Sequence, residues 1–140
     1  SQAPDPSQVQ GDIAKAQAAG QKNIVDAQAN LAQINAQNNK DVVDAQVDAR
    51  ANDARNASSA ATNNADAAQA RSEANQKIAD AQFNVDNVKA TADFNVAQAK
   101  CESLQPRDVA KACRDSTKAT YAADVAAATS KKAVAYRQNP

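Results

Sequence analysis

The segment IADAQFNVDNVKATADFNVAQAKCESL, residues 78–104, decides the fold of this chain, because it holds both phenylalanines and the first of the two cysteines. Within it, DAQFNVDNVKA at 80–90 is followed directly by TADFNVAQAKC at 91–101, so Phe83 and Phe94 occupy the same place in two 11-residue repeats. Eleven residues make about three turns of α-helix. The spacing therefore predicts one helix across the segment.

This helix has two apolar sides when its residues are placed about 100° apart. One side carries aliphatic and small residues, namely Ile78, Ala81, Val85, Val88, Ala92, Val96 and Ala99. The second side carries both rings and the cysteine, with Ala79, Phe83, Ala90, Phe94, Ala97, Cys101 and Leu104. The sequence thus predicts a middle helix with one neighbour on each side.

A second helix is predicted upstream, where an apolar or small residue recurs at steps of three and four from Val9 to Ala49. Gly20 lies in this stripe and marks either a frayed turn or a close approach to another helix. The pattern also repeats every 18 residues, which is five helical turns and predicts a nearly straight helix. Residues 56–64, NASSAATNN, favour a turn and include a glycosylation sequon at Asn56.

The predicted fold is all-α: a long antiparallel hairpin of helices at about 8–56 and 64–104, and a third helix at about 107–136. The alternative is one continuous rod-like helix over 8–104 with a folded-back C-terminal helix. Residues 1–7 are predicted to be a disordered tail with Ser7 as the helix cap, followed by a single elongated domain over 8–140 with a second turn at 105–107.

A hairpin centred on Ala60 would bring the larger side chains together, with Val42 near Ile78. The predicted helix–helix core consists of Ile24, Leu31, Ile34, Val42, Ile78, Phe83, Val85, Val88, Phe94 and Val96. This core is thin, because 37 residues are alanine and only 19 are Val, Ile, Leu or Phe. An alanine methyl removes little apolar area from water when it is buried.

Cys101 and Cys113 flank the turn at Pro106 and come level if the helices on either side are antiparallel. We therefore predict a disulfide between them. The chain has no histidine that could share a metal with these cysteines, so the pair favours an oxidising compartment and a secreted or periplasmic location.

No stretch of the sequence has the residue types and spacing of a catalytic, cofactor or metal site, and none is predicted. There is no histidine, tryptophan or CxxC, and the two glycines form no phosphate-binding loop. The protein is therefore predicted not to be an enzyme. The last helix carries Tyr121, Val125 and Tyr136 on a flank predicted to lie away from Cys113, where they are candidate contacts for a partner.

Basic and acidic residues number 16 each, which gives no overall field to attract nucleic acid, and no small-molecule substrate is predicted. Residues 1–99 carry 8 basic and 12 acidic groups (net −4), whereas 100–140 carry 8 basic and 4 acidic groups (net +4), a difference that suits an ionic contact between the last helix and the rest. Pairs four residues apart, such as Lys22 with Asp26 and Lys40 with Asp44, add local support.

Three functions fit this sequence. The first is a non-catalytic extracytoplasmic structural protein that associates with itself into an oligomer, filament or surface assembly, since one thin core leaves packing for a second copy to complete. The second is a lipid-surface coat or stress-protective protein whose helices order on an interface. The alanine-rich repeats resemble those of late-embryogenesis-abundant proteins and of phasin-like or apolipoprotein-like coats, although no motif specific to those families is present. The third is a monomeric module that binds another protein.

Overall fold

A computed structural model describes residues 5–55 and 60–140. These residues form three helices, α1 (Pro6–Arg55), α2 (Ala60–Cys101) and α3 (Arg107–Gln138). Helix α2 packs against α1 and against α3. The predicted hairpin with a third helix is therefore confirmed, and the alternative of one continuous rod over 8–104 is wrong.

Helix α1 begins earlier than the sequence predicts, because Asp5 rather than Ser7 caps it. The backbone amide and the hydroxyl of Ser7 donate hydrogen bonds to Oδ1 of Asp5 at 2.9 and 3.0 Å. The hydrogen bond from the backbone amide lowers the pKa of the Asp5 carboxyl. Pro6 fits the first turn because an amide there has no helical partner to lose. The predicted tail is therefore wrong for residues 5–7, and its remainder, 1–4, lies outside the described residues.

The turns also differ from their predicted bounds. Residues 60–64 belong to α2, and Asn63 donates to Oδ1 of Asp53 at 3.1 Å across the hairpin. The rest of the predicted turn, 56–59 with the Asn56 sequon, lies outside the described residues. Helix α2 ends at Cys101 rather than 104, and the amide of Leu104 donates to the Cys101 carbonyl at 3.1 Å. After a cis Gln105–Pro106 bond, α3 continues to Gln138 instead of 136.

Two contacts set the register of α1 against α2. Asn38 is the one polar side chain that is buried among the described residues. Its amide nitrogen donates to the Ala74 carbonyl at 2.8 Å. Gly20 lies so close to Ala92 that a Cβ on Gly20 would fall 2.7 Å from the Ala92 Cβ. In sequence, Asn38 and Ala74 lie at equal distances from residue 56, and so do Gly20 and Ala92. The hairpin predicted from the sequence is centred on Ala60 instead.

The predicted pairing of Val42 with Ile78 is wrong for this reason, since the register places Ile78 opposite Ile34. The helices adopt the register in which small residues meet at the closest approach. Large side chains then lie beside the seam.

The pattern of burial also shows small residues in the seams and larger side chains beside them. Among the ten predicted core residues, Val85 is buried, and the other nine, Ile24, Leu31, Ile34, Val42, Ile78, Phe83, Val88, Phe94 and Val96, are half-buried. The buried positions are mostly alanines, and the others are Val9, Gly20, Asn38, Val85 and Cys101. Alanine occupies the seams because the helix axes approach closely there.

The two seams of α2 lie on opposite sides of the helix. Ala74, Ala81 and Ala92 are buried toward α1, and Ala79 and Ala90 are buried toward α3. On a helical projection the two sets are about 160° apart. Among the described residues α1 and α3 make no contact with each other, so the helices form one flat layer with α2 in the middle.

Gly20→Ala should destabilise the protein although alanine is the better helix former. The new methyl would meet the Ala92 Cβ at 2.7 Å, and neither backbone-anchored atom can swing away. Gly11→Ala is the matched control, because nothing lies within 4 Å of its added Cβ, and it should raise stability by up to about 1 kcal/mol. Thermal unfolding measures both changes. Adding Ala92→Gly should restore the stability lost in Gly20→Ala, and a Gly20→Ala variant as stable as Gly11→Ala would contradict the close approach.

Candidate functional site

The contact between α2 and α3 is fixed at one end by the disulfide that the sequence predicts. Cys101 and Cys113 are bonded, with Cα atoms 5.6 Å apart and a sequence separation of 12. Cys101 has no exposed surface. The bond ties the last residue of α2 to the second turn of α3 across the 102–106 connection.

Aromatic side chains continue this contact beyond the disulfide. The rings of Phe94 and Tyr121 have centroids 5.2 Å apart, tilted by 51°. The hydroxyl of Tyr136 donates to Oδ1 of Asp80 at 2.6 Å. Tyr121 and Tyr136 therefore contact α2, and all three of Tyr121, Val125 and Tyr136 are half-buried.

Helix geometry alone does not decide whether Tyr121 contacts α2. Residue 121 lies about 80° from residue 113 on a helical projection, so the sequence alone allows it to face either α2 or solvent. The tilted contact of the Tyr121 ring with Phe94 places this side chain toward α2 and covers part of the ring from water. A partner contact through Tyr121, Val125 and Tyr136 stays a prediction, and these side chains are already engaged or half-buried within the chain.

Lys132 joins several of these groups. Its ammonium lies 4.9 Å from the Phe83 ring centroid, 5.7 Å from that of Tyr136, and 3.3 Å from Oδ1 of Asp80. Lys131 lies 3.5 Å from Oδ2 of Asp86. The basic C-terminal segment thus forms ionic contacts with acidic residues of α2, as its charge predicts.

Amide side chains complete the contact. Gln98 donates to the Arg114 carbonyl at 3.1 Å and also to the Thr117 hydroxyl. At the far end, Asn75 donates to Oδ1 of Asn139 at 2.8 Å. Helix α3 therefore runs along α2 from the disulfide to Asn75.

The grooves between the helices are shallow and open to solvent. One groove of about 400 Å³ lies between α1 and α2 beside Gly20 and Ala92, and its lining mixes small and aliphatic residues with polar and charged ones. Another groove, of about 350 Å³, lies between α2 and α3. Its lining includes both acidic and basic residues, among them Asp93, Asp124 and Lys131. Neither groove brings a nucleophile, a base and an oxyanion donor together.

Residues 5–55 and 60–140 contain neither a metal-binding cluster nor a helix that could span a membrane. No group of three or more acidic or cysteine side chains could hold a metal ion there. None of the helices in that part of the chain combines the length and the apolar character needed to cross a membrane.

Both outer helices carry large apolar side chains that are exposed to solvent. We call the solvent side of α1 that carries Val25, Val43 and Val47 the outer α1 face; these valines are 49, 54 and 55% exposed. The solvent side of α3 that carries Val109 and Val134, 46 and 42% exposed, is the outer α3 face. On a helical projection the outer α1 face lies about 150° from the buried seam of α1.

The fold and these faces define an extended, flat, three-helix protein with a disulfide between its last two helices. No family model, curated protein or solved structure matches the chain.

Cys113→Ser, or reduction of the native protein, should loosen α3. Removing the cross-link frees the unfolded chain, which costs about 2–4 kcal/mol of stability if unfolding is two-state. Denaturant unfolding measures this loss, and limited proteolysis should cut first after Pro106. Because α1 packs on the opposite side of α2, the hairpin should keep most of its helicity. Reductant should have no further effect on Cys113→Ser, and two free thiols in the native protein would contradict the prediction.

Tyr136→Phe should lower the unfolding temperature, because it removes the hydroxyl that donates to Asp80. Tyr121→Phe should lower the unfolding temperature less, because the phenylalanine ring keeps the contact with Phe94. The hydrogen bond to Asp80 raises the pKa of Tyr136 above its ordinary value of 10.0. A raised folded-state pKa means that this contribution is complete below about pH 10 and is lost as the pH rises through the folded-state value. Unfolding curves from pH 7 to 11 should therefore show wild type and Tyr136→Phe converging at the alkaline end. A constant gap would contradict the bond.

Proposed function

We propose that this protein is a non-catalytic, extracytoplasmic structural protein that associates with copies of itself into an oligomer or surface assembly. The observation that carries the proposal is the exposure of Val25, Val43 and Val47 along the outer α1 face. An apolar stripe on the solvent side of a long helix is typical of a surface that packs against another helix.

The composition of the seams supports the same proposal. Within the chain, small residues bring α1 and α2 together as closely as Gly20 and Ala92. The outer faces carry the same mixture of alanine and valine, so they suit the same kind of packing. One chain leaves both outer faces uncovered, and a second copy supplies matching surfaces.

Two features favour a protein that is folded before it meets its partner. The disulfide and the aromatic contact between Phe94 and Tyr121 join α2 to α3 within one chain. Asn38 and Gly20 hold α1 to α2 in one register. These contacts need no lipid surface, which argues against helices that order only on an interface. The disulfide is compatible with an oxidising compartment and supports a secreted or periplasmic location.

Light scattering across protein concentration tests self-association. The expected mass exceeds the 14.6 kDa of one chain and falls toward it on dilution. The control is the same series in high salt, where association through apolar faces should persist while weak ionic contacts are screened. A mass of 14.6 kDa at every concentration and salt level would refute the proposal.

A further inference from the structure

We infer that the outer α1 face binds the outer α1 face of a second copy, with the two helices antiparallel and crossing near residue 33. This inference rests on the proposed self-association and names the surface that carries it. The face consists of Val25, Val43 and Val47 with Ala29, Ala32 and Ala36 between them, all exposed.

The apolar side chains match one another in this arrangement. In an antiparallel pair with two-fold symmetry, residue i lies opposite residue j and j opposite i. Val25 then falls opposite Val43, and Ala29 opposite Ala36, because both pairs are centred within a residue of position 33. Ala32 meets its own copy at the two-fold axis.

Charge complementarity selects this register. Lys22 and Asp26 form an ion pair at 2.8 Å on one flank of the outer α1 face, and Lys40 and Asp44 form one at 3.2 Å on the same flank. Residues on the same flank meet in an antiparallel helix pair. About position 33, Lys22 lies opposite Asp44 of the second copy, and Asp26 lies opposite Lys40.

The opposite flank is also self-complementary. It carries the exposed amides Gln28 and Asn39, which fall opposite each other in the same register. Amide side chains can both donate and accept hydrogen bonds, so these two can pair across the contact. Both flanks and the apolar stripe thus agree on one crossing point.

The contact is large enough for a stable dimer. Crossing at residue 33 aligns positions 11–55 of the two chains, about 68 Å of helix. A strip about 10 Å wide along that length covers on the order of 700 Å² of each chain, or about 1,400 Å² in total, within the usual range for specific interfaces.

Valine substitutions test which face is used. Val25→Glu with Val43→Glu should weaken the dimer at least about a hundredfold in sedimentation or light scattering, because four carboxylates would be buried in each dimer. The matched control is Val109→Glu with Val134→Glu on the outer α3 face, where the valines are comparably exposed, and it should change the dissociation constant by less than about threefold. Circular dichroism checks that both variants stay helical.

Charge exchange tests the register. An acidic variant, Lys22→Asp with Lys40→Asp, and a basic variant, Asp26→Lys with Asp44→Lys, should each fail to dimerise alone, because like charges then face each other. Mixed in equal amounts they should form a heterodimer with roughly the affinity of the wild-type dimer. The control is Lys111→Asp with Lys118→Asp on α3, which changes the net charge as the acidic variant does and should leave the dimer intact.

Cross-linking detects the dimer directly and does not depend on a variant that weakens it. Ala32→Cys should form an intermolecular disulfide on mild oxidation, whereas Ala18→Cys should not, since two copies of residue 18 would lie about 45 Å apart along the helices.

Equal cross-linking of both variants, or a mixture of acidic and basic variants that stays monomeric, would overturn the inference. Continued association of the Val25→Glu and Val43→Glu variant would overturn this interface while leaving self-association in place. A wild-type monomer at all concentrations would overturn both.

Discussion

The close approach of α1 and α2 at Gly20 and Ala92 is the constraint on which the rest of the layer depends. A protein with so few large apolar residues cannot fill a wide core, so its helices must come near enough for alanine methyl groups to touch. Dispersion forces fall steeply with distance, and a small gap along such a seam would lose much of the contact energy. At Gly20 the approach leaves no room for a Cβ beside Ala92.

A seam of small residues gives close packing but specifies register weakly, because one alanine resembles the next. Asn38 supplies what the alanines lack, since its buried amide finds a hydrogen-bond acceptor at Ala74. Shifting the helices past each other would leave that amide buried without a partner, at a cost of about 1–3 kcal/mol. The polar residue in the seam therefore selects one pairing among several that are sterically similar.

Helix α3 is held by a different set of forces. The disulfide fixes one end, Phe94 and Tyr121 fill the middle, and Lys132 lies beside Phe83, Tyr136 and Asp80 toward the other end. The exposed ion pairs contribute little each. Their sign nonetheless agrees with the basic character of the C-terminal segment, so ionic attraction and ring packing both direct the same side of α3 toward α2. The outer faces of α1 and α3 remain exposed, and the proposed self-association depends on the outer α1 face.

Sequence alone determined much of this fold. Helical periodicity predicted three helices, the two-sided segment around Phe83 and Phe94 predicted a middle helix, and the spacing of the cysteines about Pro106 predicted the disulfide. These features are local or nearly so, because they depend on positions within a few helical turns. The sequence could not set the hairpin register, the burial of alanines ahead of larger residues, or the side of α3 that Tyr121 and Tyr136 face. Those outcomes follow from how closely two helix backbones can approach and from which ring or amide lies opposite, and only the packed tertiary structure decides both.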